Sequence, residues 1–242
     1  MVAERIHMDP GILVKTVAAI LQVSNLSKRF GKNHALTDVS FHVREGEVLG
    51  LIGPNGAGKT TLFECLARLL PYDDGTITGV REMFYVPDGI APWPAQHLRW
   101  ALDFAVGYFD GKAGLKESVI EQLGLRDFLD QPIGSLSKGQ RKRALIAIGL
   151  LAPQPLLLID EPLDGLDLRQ MRDTAQVLRT HAAALGKTLF LSIHHISDAA
   201  RFCDRFILLS GGTVRGEGTV AELAERAGKP LDGLEEVFLA LT

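Results

Sequence analysis

The chain has 242 residues, 26 basic against 29 acidic for a formal charge of −3, with 46% hydrophobic and 23% charged residues. These globular values exclude collagen-like, coiled-coil and disordered chains, and the near-neutral charge argues against a strongly basic nucleic-acid binder. Cys65 and Cys203 are too few for a zinc site or a disulfide framework, and no run of about 18 apolar residues offers a membrane span.

Residues 1–18 carry no pattern and read as an N-terminal extension; Glu4, Asp9 and Lys15 argue against a signal peptide. Ala19–Ser24 reads as a strand. Val39, Phe41 and Val43 alternate with polar residues, as in a half-buried strand. Glu47–Ile52 is an apolar strand running into a glycine-rich turn. A helix is predicted from about Gly58 to Leu70, stopped by Pro71. Glu82–Val86 reads as a strand.

Between Gly89 and Gly134 strand signals vanish. Two helical stretches, Pro94–Phe109 and Leu115–Leu123, mark an inserted helical subdomain over 89–134. Helix Ser137–Leu151, strand Leu156–Asp160, helix Leu168–Leu185 and strand Thr188–Ile193 follow. Short edge strands Ile207–Leu209 and Thr213–Arg215 precede two small C-terminal helices. This alternation predicts an α/β fold with a mostly parallel core sheet.

Gly53, Pro54, Asn55, Gly56, Ala57, Gly58, Lys59, Thr60 and Thr61 fit G-x-x-x-x-G-K-[ST] between a strand and a helix. Glycines let backbone N–H groups turn toward an anion, and the helix N-terminus favours negative charge there. Lys59 can reach the β- and γ-phosphates, and the Thr60 hydroxyl can bind Mg²⁺. Against this stands a plain glycine-rich turn, which leaves the strand–loop–helix context unused. The run Leu156–Ile159 ends in Asp160 and Glu161. An acid at the carboxyl end of a central strand borders the ligand crevice. Asp160 is thus a candidate Mg²⁺ ligand, and Glu161 a candidate general base. Alone, two acids could merely end a strand; beside the phosphate loop they point to nucleotide hydrolysis.

Ser137, Lys138, Gly139 and Gln140 open a helix. Ser137 with Gln140 three residues on is a capping box. Yet Lys138, Arg141, Lys142 and Arg143 crowd the first turns, where positive charge opposes the helix dipole. Such a terminus gains from meeting an anion.

Leu136-Ser137-Lys138-Gly139-Gln140 resembles the signature sequence of ATP-binding-cassette (ABC) ATPases. The likeness covers about Ile20 to Thr242. It implies a P-loop cassette with a mostly parallel core sheet, an antiparallel β portion and a helical subdomain. The core would be 19–88 and 135–225, with C-terminal helices over 226–242. It also implies that Phe30 stacks on adenine, that Asp167 in Gly165-Leu166-Asp167 faces a partner subunit, and that His194 contacts the γ-phosphate. His195 reads as an ordinary packing or surface histidine. Two cassettes would close head to tail on two ATP molecules. Ser137 and Gly139 of one chain would meet the phosphate held by Lys59 of the other, in a homodimer or, as the alternative, a heterodimer with a second cassette.

Three positions depart from the pattern. Asp88 stands where the family usually has Gln, sometimes Glu, and is read as approaching Mg²⁺ in the closed state or through water. Lys138 replaces a glycine and is read as pointing to solvent or adding charge at the opposite phosphate. The short 79–82 segment suggests a trimmed peripheral hairpin.

The stretch between Lys59 and Ser137 leaves no room for a chromosome-type coiled coil, zinc cysteines are lacking, and a single cassette is present. The resemblance is therefore to the separate ATPase subunit of a transporter: cytoplasmic, peripheral on the inner face of the cell membrane, using ATP and Mg²⁺, without nucleic acid. The apolar residues of 98–109 occupy two faces of a helix, one for the core and one either for the subdomain interior or for a permease. Gly212–Gly218 and Leu234–Thr242 resemble the exporter branch, and no importer regulatory domain follows. A soluble ABC ATPase remodelling a protein or nucleic-acid complex is the alternative. A P-loop kinase is a third class, opposed by Ser137, Glu161 and His194.

Overall fold

The computed structural model describes residues 18–109, 113–194, 202–228 and 234–241. The readings of residues 1–17, of His195 and of 229–233 lie outside them.

Two sheets pack around α1 (Lys59–Leu66). The first is antiparallel: β1 (Ala19–Phe30) lies between β2 (Asn33–Arg44) and β4 (Asp74–Gly79). The second runs β5 (Met83–Val86), β6 (Leu156–Ile159), β7 (Thr188–Ile193), β3 (Val48–Ile52), β8 (Arg205–Ser210), β9 (Thr213–Gly218). All its pairings are parallel except β8 with β9.

The large sheet is covered on both faces, which is why β3, β6 and β7 read as mainly apolar runs. Leu156 and Leu158 of β6 pack toward α1 and the antiparallel sheet. Leu157 and Ile159 pack toward the helices α2 (Leu98–Tyr108), α3 (Ala113–Gln122), α4 (Lys138–Leu151) and α5 (Leu168–Leu185). The C-terminal helices α6 (Val220–Ala227) and α7 (Leu234–Leu241) pack on each other and against β9. No helix among the described residues is long and apolar enough to cross a membrane.

Several elements differ from expectation. β1 continues to Phe30, because its second half pairs with both neighbours through a register shift. β4, absent from the sequence reading, is a polar edge strand with one half-buried face. Helix α1 stops at Leu66, before Pro71, because Arg68 takes a left-handed φ of 59° and closes the last turn. The chain then passes from β4 to β5 through Val80, Arg81 and Glu82 alone.

Helix α2 begins at Leu98, after the Pro-Trp-Pro turn. Its inner face buries Leu98, Ala101, Leu102 and Ala105. Its outer face is aromatic. Trp100, Phe104 and Tyr108, four residues apart, stack at 5.3 and 5.8 Å between ring centroids. Trp93 meets Trp100 and Phe104 edge-on. All four side chains are exposed, so the second apolar face is not consumed inside the subdomain.

Candidate functional site

The phosphate loop connects β3 to α1. Gly58 has φ 103°, and a Cβ there would lie 2.5 Å from the Ala35 carbonyl. A Cβ on Gly53 would lie 2.4 Å from the Leu209 carbonyl. Only glycine fits at either end, so the loop's path is set by neighbouring backbone. Helix α1 has no side-chain cap at its N-terminus, whereas α4, α5 and α6 are capped by Ser137, Asp167 and Thr219. The first N–H groups of α1 are therefore left for an anion.

Lys59 is buried and donates to the carbonyls of Gly53 (2.8 Å) and Pro54 (3.3 Å). Burial pulls its pKa below the ordinary lysine value, while the Glu161 and Asp160 carboxylates oppose that shift. A cleft of about 470 Å³ opens here, lined by Phe30, Asn55, Gly56, Gly58–Thr61 and Glu161. Phe30 is half exposed, with the Lys28 ammonium 5.4 Å from its ring centroid.

The end of β6 meets this loop. The Thr60 hydroxyl donates to Asp160 Oδ2 at 2.8 Å, and Ser192 Oγ donates to Asp160 Oδ1. Tyr85 Oη stands 3.5 Å from the same carboxylate, and burial with that negative charge raises the phenol's pKa. Glu161 takes φ 48°, unusual for a residue with a side chain. Its N–H donates to Ser192 Oγ at 2.8 Å. In sequence Ser192 stands only as the neighbour of His194 in Ser192-Ile193-His194. The available signal was one hydroxyl inside the otherwise apolar end of a fully buried strand.

The signature segment forms the predicted capping box. Gln140 N–H donates to Ser137 Oγ (3.3 Å), and Ser137 N–H donates to Gln140 Oε1 (2.8 Å). Gly139 packs against Gly165, whose carbonyl lies 3.0 Å from where a Cβ would stand. Ser137, Gly139 and Gln140 do not line the phosphate-loop cleft of their own chain.

A family model described as ABC transporter matches residues 36–164, more than half the chain. The chain belongs to the ABC transporter family.

It is an ATP-binding, ATP-hydrolysing cassette subunit of that family. It is 31% identical to the SkfA peptide export ATP-binding protein SkfE of Bacillus subtilis, over 86% of this chain and 92% of that protein. It is 30% identical to the spermidine/putrescine import ATP-binding protein PotA of Bacteroides thetaiotaomicron, over 85% of this chain but 48% of that one. A solved ATP-binding subunit of an ABC transporter superposes with a TM-score of 0.82, at 28% identity, over 92% of this chain and 99% of that one.

Two lysines of the basic run on this cassette's signature helix meet carboxylates of their own chain, while Arg141 and Arg143 donate to backbone carbonyls. Lys138 pairs with Asp164 at 2.5 Å, and its stem covers Gly165. Its side chain is half exposed to solvent while paired within its own chain. The pairing raises the Lys138 pKa and lowers that of Asp164. Lys142, one turn on, is buried and pairs with Asp88. The Asp88 carboxylate is thus ion-paired to α4 through an ammonium that also donates to the Asp160 carbonyl at 3.2 Å. Asp167 Oδ1 accepts the Gln170 N–H at 2.8 Å and caps α5. His194 is exposed at the end of β7 and lines a small apolar recess with Glu161 and Met171.

Proposed function

We propose that this cassette works as half of a head-to-tail homodimer that hydrolyses ATP with Mg²⁺ and drives a separate integral membrane permease, in the export direction. The core would be 19–88 and 135–225, the helical subdomain 89–134, and the chain would sit peripherally on the inner face of the cell membrane.

One observation carries the reading. The hydrogen bonds from Thr60 to Asp160, Ser192 to Asp160 and Glu161 to Ser192 join the phosphate loop to the carboxylate strand. Thr60 and Asp160 offer hard oxygen donors beside the loop, which suits Mg²⁺ held by few protein ligands together with phosphate oxygens. When bound, the ion offsets charge on the β- and γ-phosphate oxygens.

The chain's own groups then have distinct tasks. Phe30 stacks on the base. The N–H groups of 55–61 and the Lys59 ammonium hold the phosphates. Glu161 takes a proton from water as the water oxygen bonds to the γ-phosphorus and the bridging oxygen leaves with ADP. His194 contacts the γ-phosphate. Ser137, Gly139 and Gln140 serve the nucleotide of the partner cassette, with Asp167 near the dimer axis. Asp88 acts as the counter-ion of Lys142 in preference to a direct Mg²⁺ ligand.

The aromatic face Trp93–Trp100–Phe104–Tyr108 supports the permease. An exposed apolar patch of this kind marks a docking surface. A groove of about 140 Å³ lined by Ile90, Pro92, Trp93 and Leu145 adjoins it and suits an apolar helix of the partner. Export is favoured by the 212–218 and 234–242 segments and by the match along nearly the full length of SkfE.

A detergent pull-down of the tagged Glu161→Gln chain with ATP tests this. A stoichiometric integral membrane protein is expected, lost on Trp100→Ser/Phe104→Ser. Soluble proteins or nucleic acid alone would replace the reading with that of a remodelling ATPase.

A further inference from the structure

Glu161 holds a left-handed backbone at φ 48° without being glycine. Such a conformation persists only where its surroundings over-determine it. The peptide unit joining Asp160 to Glu161 is held at both ends. Its N–H donates to Ser192 Oγ at 2.8 Å, and its carbonyl accepts from the Lys142 ammonium at 3.2 Å. The preceding peptide is fixed as well, because the Asp160 N–H donates to the Val86 carbonyl at 2.9 Å.

Lys142 is only 3% exposed, and a buried ammonium needs a counter-ion. Asp88, two residues beyond Val86, supplies it. Carboxylate oxygens of Asp88, Glu161 and Asp164 all lie within 4.8 Å of one another. Three like charges this close would rotate apart. Lys142 and Lys138, on one face of α4, neutralise Asp88 and Asp164. The Glu161 carboxylate then keeps its place without being drawn into either ion pair.

We propose that Lys142 is a positioning residue for ATP hydrolysis: through the Asp160 carbonyl it holds the peptide that aims Glu161, with Asp88 as its counter-ion. The inference rests on the assignment of Glu161 as general base.

Two variants test it: Lys142→Met, which keeps the stem and removes the ammonium, and Lys142→Met/Asp88→Asn, which removes both charges of the ion pair and so leaves neither charge unpaired. If the single variant does not fold, the double variant carries the same readout. The readouts are steady-state ATPase, ATP affinity, melting temperature and single-turnover hydrolysis in the Glu161→Gln background.

The expected result is a fall in kcat of about 10- to 100-fold, the size that follows from misplacing a reacting group by an ångström or less. KM and ATP affinity stay near wild type, and the double variant melts near the wild-type temperature. In the Glu161→Gln background, Lys142→Met causes no further loss, because the group it positions is gone. Wild-type kcat in the double variant overturns the proposal. So does an equal fold-loss with and without Glu161, which would mark a merely structural role. Wild-type turnover by Glu161→Gln itself is a different result and removes the base assignment beneath the inference.

Discussion

The Thr60 hydroxyl donates to the Asp160 carboxylate at 2.8 Å, so the first turn of α1 and the end of β6 share a hydrogen bond across a hundred residues of sequence. Both groups are proposed here as Mg²⁺ ligands. Thr60→Val keeps the shape and removes the oxygen. The Mg²⁺ concentration for half-maximal turnover should rise about 10- to 100-fold, the usual cost of a lost ligand partner. ATP affinity without Mg²⁺ should hold. An unchanged Mg²⁺ titration would remove Thr60 from the ion's shell.

The phosphate loop owes its path to close backbone approach. Gly58→Ala would place a Cβ 2.5 Å from the Ala35 carbonyl at a φ of 103°. We expect a stability loss of about 1–3 kcal/mol together with weakened nucleotide binding. Thermal melting and ATP titration check both, and a variant that melts and binds like wild type would show that the loop relaxes freely.

Phe30 is exposed beside the cleft, with Lys28 over its ring. Phe30→Ala should cost about 1–2 kcal/mol of binding, a roughly 5- to 30-fold rise in Kd. ATP and ADP should be affected equally, with kcat at saturation unchanged. Loss for ATP alone would contradict stacking on the base.

The sequence made the parallel core legible because β3, β6 and β7 are buried on both faces and read as apolar runs. The capping box at Ser137 was legible for a local reason: its partners are three residues apart. β4 was not legible, since Asp-Gly-Thr-Ile-Thr-Gly buries little and owes its strand form to pairing with β1. In the site, Lys59, Thr60, Asp160 and Glu161 follow from motif spacing. The bond from Lys142 to a backbone carbonyl leaves no mark in sequence, because any residue supplies that carbonyl. The basic run in 138–143 did call for an anion, and the structure answers with Asp164 and Asp88.

Lys187 introduces a pH dependence. Its ammonium is buried and donates to the carbonyls of Ala152 and Gln154. Burial pulls its pKa down to about 8. The unfolded chain keeps this proton until about pH 10.4. Between those values the unfolded state binds more protons, so stability rises with pH. Below pH ~8 the cost of the buried charge is fully present. Wild type should therefore gain on the order of 1–3 kcal/mol relative to Lys187→Met between about pH 8 and 10. Denaturant midpoints of the two proteins measure it, and parallel pH curves would show that Lys187 stays charged when folded.

In the proposed mechanism Glu161 activates the water and ATP closes two copies of this cassette. The direct measurement is the mass of purified Glu161→Gln by light scattering, with and without ATP and Mg²⁺, alongside phosphate release. A stable dimer with ATP, a monomer without it, and turnover reduced by at least about 100-fold are expected. A monomer under both conditions, or turnover near wild type, would contradict it.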